Sequence, residues 1–254
     1  MCLILFAYRQ HVDYPFVVIA NRDEYYARPT RDAHWWGDAD IFAGRDLEAG
    51  GTWLGINQHG RFAAVTNVRE PGGMSPGKIS RGELTRNYLC ATQPAEEYLQ
   101  QLSAHDQDYA GFNLLLADQQ EMWFYSNRDH GIRHVEPGIY GISNGDFDEA
   151  WPKLSSGKAE LEALLAGSID SAQLMEILTD HQIAEDHELP ATGVSLDIER
   201  LLSSRFIRSP EYGTRACSVV TIDANQRVSF SEQNFADAEH SAELVHETFN
   251  ITPE

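Results

Sequence analysis

The residue at position 2 is a cysteine, directly after the initiating methionine. Removal of Met1 would leave Cys2 carrying a thiol and a free α-amine together. That pairing is a nucleophile with its own base, because an α-amine titrates at roughly 7.7–8.0 and accepts a proton near neutrality. The thiolate is the reactive form, and a neighbouring cation favours it. Such a nucleophile also needs N–H donors where an oxyanion develops. Arg22 and Asp23, in the segment Asn21-Arg22-Asp23-Glu24, follow the apolar run Phe16-Val17-Val18-Ile19-Ala20. If that run pairs with residues 2–8 across Asp13-Tyr14-Pro15, both residues come beside Cys2. Asn67 ends another β-prone run and is a candidate oxyanion donor. Taken singly, each feature has a plainer reading. A free cysteine is commonly a small buried hydrophobe, and a polar tetrapeptide after a strand is commonly a solvated turn. Finding both at hairpin spacing weakens both plain readings.

Other residues near this constellation are candidates for contact with a substrate. Trp36 and Trp53, with Trp35, Tyr25 and Tyr26, are placed to line a pocket for an acyl or planar group. Their plainer role is as core and loop anchors. Asn21, Glu24 and Arg28 complete the candidate binding set, with Glu24 either orienting Arg22 or facing solvent. The ten histidines show no metal-ligand spacing, and His130 and His134 only straddle Gly131 in a strand or turn. No metal is expected.

The elements that would hold these residues alternate in type. Residues 2–8 and 16–20 predict buried strands, and a polar, aromatic-rich stretch to about Gly51 predicts ordered loop. Thr52–Ile56 and Arg61–Asn67 predict a strand pair turning at Asn57-Gln58-His59-Gly60. Pro71–Gly77 predicts a mobile loop. Ser80 and Glu83 have capping-box spacing before a helix, and Pro94 suits the first position of a second. Four short strands, 112–117, 121–126, 131–135 and 139–142, predict a meander. Helical spacing returns at about 150–165, 171–181 and 195–204. Strands close the chain at 216–222 and 226–231, while 241–251 suits helix or strand. This order suits two antiparallel sheets flanked by helices better than a parallel doubly wound sheet. No linker interrupts it, so one domain over 1–254 is expected.

Composition bounds the partners. The 39 acidic residues outnumber the 19 basic ones, for a net charge of −20, which disfavours nucleic acid and anionic membrane. No window approaches the roughly 18 apolar residues of a membrane span, and the short apolar start lacks the flanks of a secretory leader. Three scattered cysteines without a CxxC suit a reducing compartment, so a cytoplasmic location is expected. The expected partner is a small molecule.

The Met-Cys start, the strand ending Ala20-Asn21-Arg22-Asp23-Glu24 and the following Arg28-Pro29 resemble the NRDE-motif family, also called the transport-and-Golgi-organization family. Gly50-Gly51-Thr52-Trp53-Leu54-Gly55, Thr66-Asn67, Arg81-Gly82-Glu83-Leu84, Gly111-Phe112-Asn113-Leu114, Tyr140-Gly141-Ile142-Ser143-Asn144 and Tyr212-Gly213-Thr214-Arg215 match its motifs in order. A more distant resemblance, through Gly55-Ile56-Asn57-Gln58-His59-Gly60 and Asn67, is to the choloylglycine hydrolases and penicillin V acylases. Those are N-terminal-nucleophile amidases, which implies an α+β fold, a four-layer αββα sandwich of two antiparallel sheets flanked by helices. The resemblance implies Cys2 as nucleophile and base, Arg22 and Asp23 flanking its thiol and amine, and Asn67 donating to the oxyanion. It implies Asn144 holding the amine or the tetrahedral intermediate, and Arg215 supporting the site, with Arg205 a rival for that role. The hydrolases space their Arg and Asp differently from the adjacent Arg22-Asp23. The implied activity is amide hydrolysis or acyl transfer on a small acylated molecule, without a cofactor. The family's links to Golgi organisation, lipid metabolism and haem handling imply an alternative, a non-catalytic carrier of lipid, acyl-CoA or haem.

Overall fold

A computed structural model describes residues 2–70, 77–129 and 131–253. Met1, His130 and most of the loop expected at Pro71–Gly77 lie outside the described residues. The strands in chain order are β1 (Cys2–Tyr8), β2 (Phe16–Tyr25), β3 (Thr30–Trp35), β4 (Ile41–Asp46), β5 (Leu54–Asn57), β6 (Phe62–Asn67), β7 (Phe112–Ala117), β8 (Met122–Ser126), β9 (Ile132–His134), β10 (Gly138–Ile142), β11 (Tyr212–Ile222), β12 (Arg227–Asn234) and β13 (Val245–Asn250). The helices are α1 (Gly82–Leu89), α2 (Ala95–Ser103), α3 (Pro152–Leu165), α4 (Ser171–Leu178) and α5 (Leu196–Ser203). Among the described residues the result is α+β, with two antiparallel sheets and five α-helices, which is the class expected. The chain falls into two compact units. One holds Met1–Ala27, Glu70–Gly72 and Pro137–Phe249, and the other holds Arg28–Arg69, Gly73–Glu136 and Asn250–Glu254.

The first unit is built on a six-stranded sheet, β10-β1-β2-β11-β12-β13. All seven residues of β1 and Phe16–Ala20 of β2 are buried, as their continuous apolar runs require, and burial continues through the polar Asn21, Arg22 and Asp23. Their hairpin closes with Arg9 N–H donating to Pro15 O at 2.6 Å. Its register runs from Cys2 opposite Arg22 to Tyr8 opposite Phe16. One face of this pair carries Leu3, Leu5, Ala7, Val17 and Ile19 against Leu154 and Leu161 of α3 and Leu174, Ile177 and Leu178 of α4. Each leucine, isoleucine or valine among them contributes about 1.5–3 kcal/mol on burial. Gly157, inside α3, permits this approach, since a Cβ there would stand 2.5 Å from Leu5 Cδ1. Glycine costs a helix about 1 kcal/mol relative to alanine, and close packing on β1 offsets that.

The second unit is a seven-stranded meander, β3 through β9 in sequence order. Helix α1 packs Leu84, Tyr88 and Leu89, and α2 packs Leu99, against Ile41, Ala63, Val65, Leu114 and Leu116.

Several local expectations are corrected. The aromatic-rich stretch contains β3 and β4 where loop was expected. Strand β3 is an edge strand with a register irregularity between Arg31 and His34, and only Ala33 of it is buried, so it lacks clean alternation. The meander of four strands ends at β9, because β10 joins β1 in the other sheet. Ser80 does not cap α1. Its hydroxyl accepts from Gly82 N–H, and the N-cap position is Arg81. Pro94 is the N-cap of α2 and not its first turn. The ambiguous end segment is strand β13.

Candidate active site

Antiparallel pairing puts Cys2 directly opposite Arg22 on one face of the sheet, and continues through Arg22 to Ala216 of β11. On the other side of β1, the register pairs Ile4 with Ile142. The chain then leaves β10 but stays alongside β1, for Ser143 Oγ donates to Cys2 O at 3.0 Å and lies 3.3 Å from Asn144 Oδ1. Cys2, Arg22 and Asn144 are 7%, 6% and 1% exposed, so this polar group sits in a nearly water-free setting. Burial pushes the Cys2 thiol above its ordinary 9.0. The Asp23 carboxylate adds to that rise, while the Asp23 backbone N–H and the Arg22 guanidinium oppose it.

Asp23 is also buried, and desolvation raises its carboxyl above 3.8 against the pull of Lys153 and of a hydrogen bond from Thr214. Thr214 Oγ1 donates to Asp23 Oδ1 at 2.7 Å and accepts from Ile207 N–H at 2.9 Å. Tyr212 Oη donates to Asp23 O at 3.0 Å. Asn21 points its amide away from the Cys2 face. Its Nδ2 donates to Leu178 O at 2.9 Å and to Arg205 O at 2.8 Å. It therefore ties the end of α4 to the segment between α5 and β11. Glu24 Oε1 accepts from Tyr25 N–H.

The two rival arginines are each engaged with the fold. Arg205 Nη2 bridges Glu160 and Asp180, both at 2.7 Å. Arg215, at the register irregularity of β11, donates to Phe235 O, Tyr25 O and Tyr26 O at 3.1, 2.9 and 2.8 Å.

The remaining candidates belong to the second unit. Asn67 ends β6 half-buried, opposite Phe112. Trp36 is 4% exposed in the core under α1 and α2, with Nε1 donating to Ala43 O and the Arg45 guanidinium 4.2 Å from its ring. Trp53 is half-buried beside β5. Arg28 Nε donates to Asp46 Oδ2 at 2.6 Å. Burial alone would raise the Asp46 carboxyl, but that bond and the backbone N–H groups of Ala49 and Glu48 hold it below 3.8. Among the described residues no group of three or more His, Cys, Asp or Glu could hold a metal ion.

Sequence reasoning missed Lys153. It is 4% exposed in the first turn of α3, donates to Leu202 O at 3.0 Å, and its charge acts on Asp23. Nothing in Trp151-Pro152-Lys153 signals a buried lysine. Thr214 and Ser143 were in view as motif members but were given no role.

The fold is similar to that of two solved hydrolases. A Caenorhabditis elegans N-acylethanolamine-hydrolyzing acid amidase ortholog superposes with a TM-score of 0.51 at 12% identity, over 86% of this chain and 92% of its own. A conjugated bile acid hydrolase from Clostridium perfringens gives 0.51 at 9% identity, over 100% and 98%. The chain belongs to the Transport and Golgi organisation 2 family, whose model matches residues 1–237. The Bos taurus Transport and Golgi organization protein 2 homolog is 34% identical over 263 residues, covering 92% of this chain and 93% of the relative. The Drosophila melanogaster Transport and Golgi organization protein 2 is 28% identical over 261 residues, covering 92% of each.

Proposed function

We propose that this chain is an N-terminal-cysteine amidase or acyl-transfer enzyme for a small acylated molecule, active once Met1 is removed. The observation that carries the reading is the buried cross-strand pair of Cys2 and Arg22, with Ser143-Asn144 bonded alongside. In the reaction the freed α-amine takes the thiol proton and the sulfur attacks the acyl carbon. The C–N bond then breaks as the proton passes to the leaving nitrogen. Water, or another acceptor, releases the acyl group from the thioester. Arg22 favours the thiolate, Asp23 holds the ammonium, and Asn144 donates to the oxyanion. Arg215 secures the strand end that carries Asp23. The setting is a reducing one, the cytoplasm, and the −20 charge argues against nucleic acid or anionic membrane as partner. No helix of the described residues is long and apolar enough to cross a membrane.

The test is mass spectrometry of the mature protein before and after an electrophilic acylating probe. Loss of Met1 and a single adduct on Cys2 support the reading. Quantitative retention of Met1, or an unlabelled Cys2, ends it.

One feature favours a second reading, capture of an apolar ligand without turnover. A groove of about 500 Å³ is lined by Tyr25, Ile198, Leu201, Leu202, Pro210 and Tyr212, just beyond Asp23 on the same strand. A lipid, acyl-CoA or haem would be its occupant. Titrations with haem and acyl-CoA that show no saturable change remove those ligands.

A further inference from the structure

We propose that Thr214 is a positioning residue that holds the Asp23 carboxylate at the amino end of β1; this rests on the amidase reading above. The β1–β2 register sets Arg22 opposite Cys2, so Asp23 is the next residue of β2, beyond the start of β1. It is level with the Cys2 α-amine once Met1 is gone. Backbone pairing with β11 is irregular at this point. Thr214 stands opposite Asp23 and Ala216 opposite Arg22, with a register shift between them. The Thr214 side chain supplies a fixed contact there, donating to Asp23 Oδ1 at 2.7 Å.

The hydroxyl has one proton, and its neighbours decide where that proton goes. Ile207 N–H donates to Thr214 Oγ1 at 2.9 Å, and Thr214 N–H donates back to Ile207 O at 3.0 Å. The oxygen therefore meets a donor on one side, and Asp23 Oδ1 is its acceptor on the other. Thr214 is fully buried, so water does not compete for the contact. A hydrogen bond to the ionised form favours a carboxylate that burial disfavours, and Thr214 opposes the desolvation of Asp23 in that way. The other ionisable side chains coupled to Asp23 are Cys2, Lys153 of α3, Glu24 of β2, Cys217 of β11 and Tyr26. One hydroxyl thus ties the aim and the charge of the carboxylate to the connection after α5.

The test pairs acylation of Cys2 by a β-lactone probe with an NMR titration of the Asp23 carboxyl carbon. In Thr214→Val, the Asp23 midpoint rises by about one pH unit and the maximal acylation rate falls about tenfold, the factor for one hydrogen bond to a charged group. The probe's half-saturation is unchanged. Thr214→Ser, which keeps the hydroxyl, retains the wild-type midpoint and rate. A purely structural role would lower the stability of Thr214→Val and leave the Asp23 midpoint where it was. An unmoved midpoint overturns the proposal, as does a moved midpoint with undiminished acylation, or a serine variant that behaves like valine. Should Thr214→Val not fold, the wild type decides: the resonance of the Thr214 hydroxyl proton follows the Asp23 titration, and one that does not follow it overturns the proposal. If the wild type itself is not acylated, the amidase reading fails, and the titration alone decides whether Thr214 holds the carboxylate.

Discussion

Strand β2 sends its side chains in two directions, and the two sets do different work. Arg22 shares a face with Cys2 and stands opposite it. Asn21 and Asp23 leave from the other face, toward α3 and α4. There Asn21 holds the carbonyls of Leu178 and Arg205, and Asp23 holds Thr214, which holds Ile207 N–H. A four-residue motif that looks like one chemical unit is therefore divided by the period of the strand. Arg22 addresses the thiol, while Asn21 and Asp23 fasten the connection between α5 and β11. Asp23 alone serves both, because its backbone N–H reaches the thiol while its carboxylate faces Thr214 and Lys153.

This division predicts opposite outcomes for neighbouring substitutions. Cys2→Ala lowers acylation by about 10³-fold or more, as removal of a nucleophile does, with little change in the unfolding midpoint. Asn21→Ala behaves in the reverse manner. It leaves two buried carbonyls without their donor, at about 2–4 kcal/mol together. With roughly 2–4 °C per kcal/mol for a chain this size, calorimetry should record a fall of roughly 5–15 °C. A stable Asn21→Ala protein with lost acylation would place Asn21 in the chemistry and break the division.

Asp23→Asn sharpens it through pH. The folded carboxyl titrates above its ordinary 3.8, so the native state binds the proton more tightly than the unfolded chain. Stability from this group is full below 3.8 and is lost as pH rises through the raised folded value. Wild type therefore carries a penalty at neutral pH that the neutral amide lacks. Asparagine Oδ1 can still accept from Thr214. The expected result is a higher midpoint for Asp23→Asn at pH 7, with the difference shrinking on acidification toward 3.8. A pH-independent difference would refute it.

The parts of this site that were legible in the sequence share a physical basis. Residues 2–8 and 16–20 are apolar on both faces, so their hairpin register and the meeting of Cys2 with Arg22 follow from strand periodicity. The Asn21 and Asp23 roles were not legible, because their partners lie 157 and 191 residues away in sequence. Both partners are groups any sequence has, a backbone carbonyl and a threonine hydroxyl. Lys153 was hidden because burial of its amine depends on Leu202 O, a backbone atom with no signature. Strands β3 and β4 were lost for a different reason. An exposed edge strand with an irregular register carries neither alternation nor a continuous apolar run. Strand β10 looked like its neighbours in sequence, and only the open edge of β1 explains why it changes sheets.

The smallest expected effect concerns Arg205, the rival site arginine. Its guanidinium is 3% exposed and shared by Glu160, which is 51% exposed, and Asp180, which is 33% exposed. Burial alone would raise the Asp180 carboxyl, but the Arg205 hydrogen bond and the Gln182 N–H hold it below 3.8. That group's contribution is therefore present above 3.8 and lost as pH falls through the depressed folded value. Glu160→Gln removes the more solvated partner while Asp180 remains, and should cost about 1 kcal/mol or less. Removing both carboxylates should cost more than the sum of the single changes, because the buried charge is then uncompensated. Neither single change should alter Cys2 acylation, since the Arg205 pairs fasten α3 to the end of α4 on the helix side of the sheet. Slower acylation in Glu160→Gln at unchanged stability would return Arg205 to the site and move the boundary between the two faces.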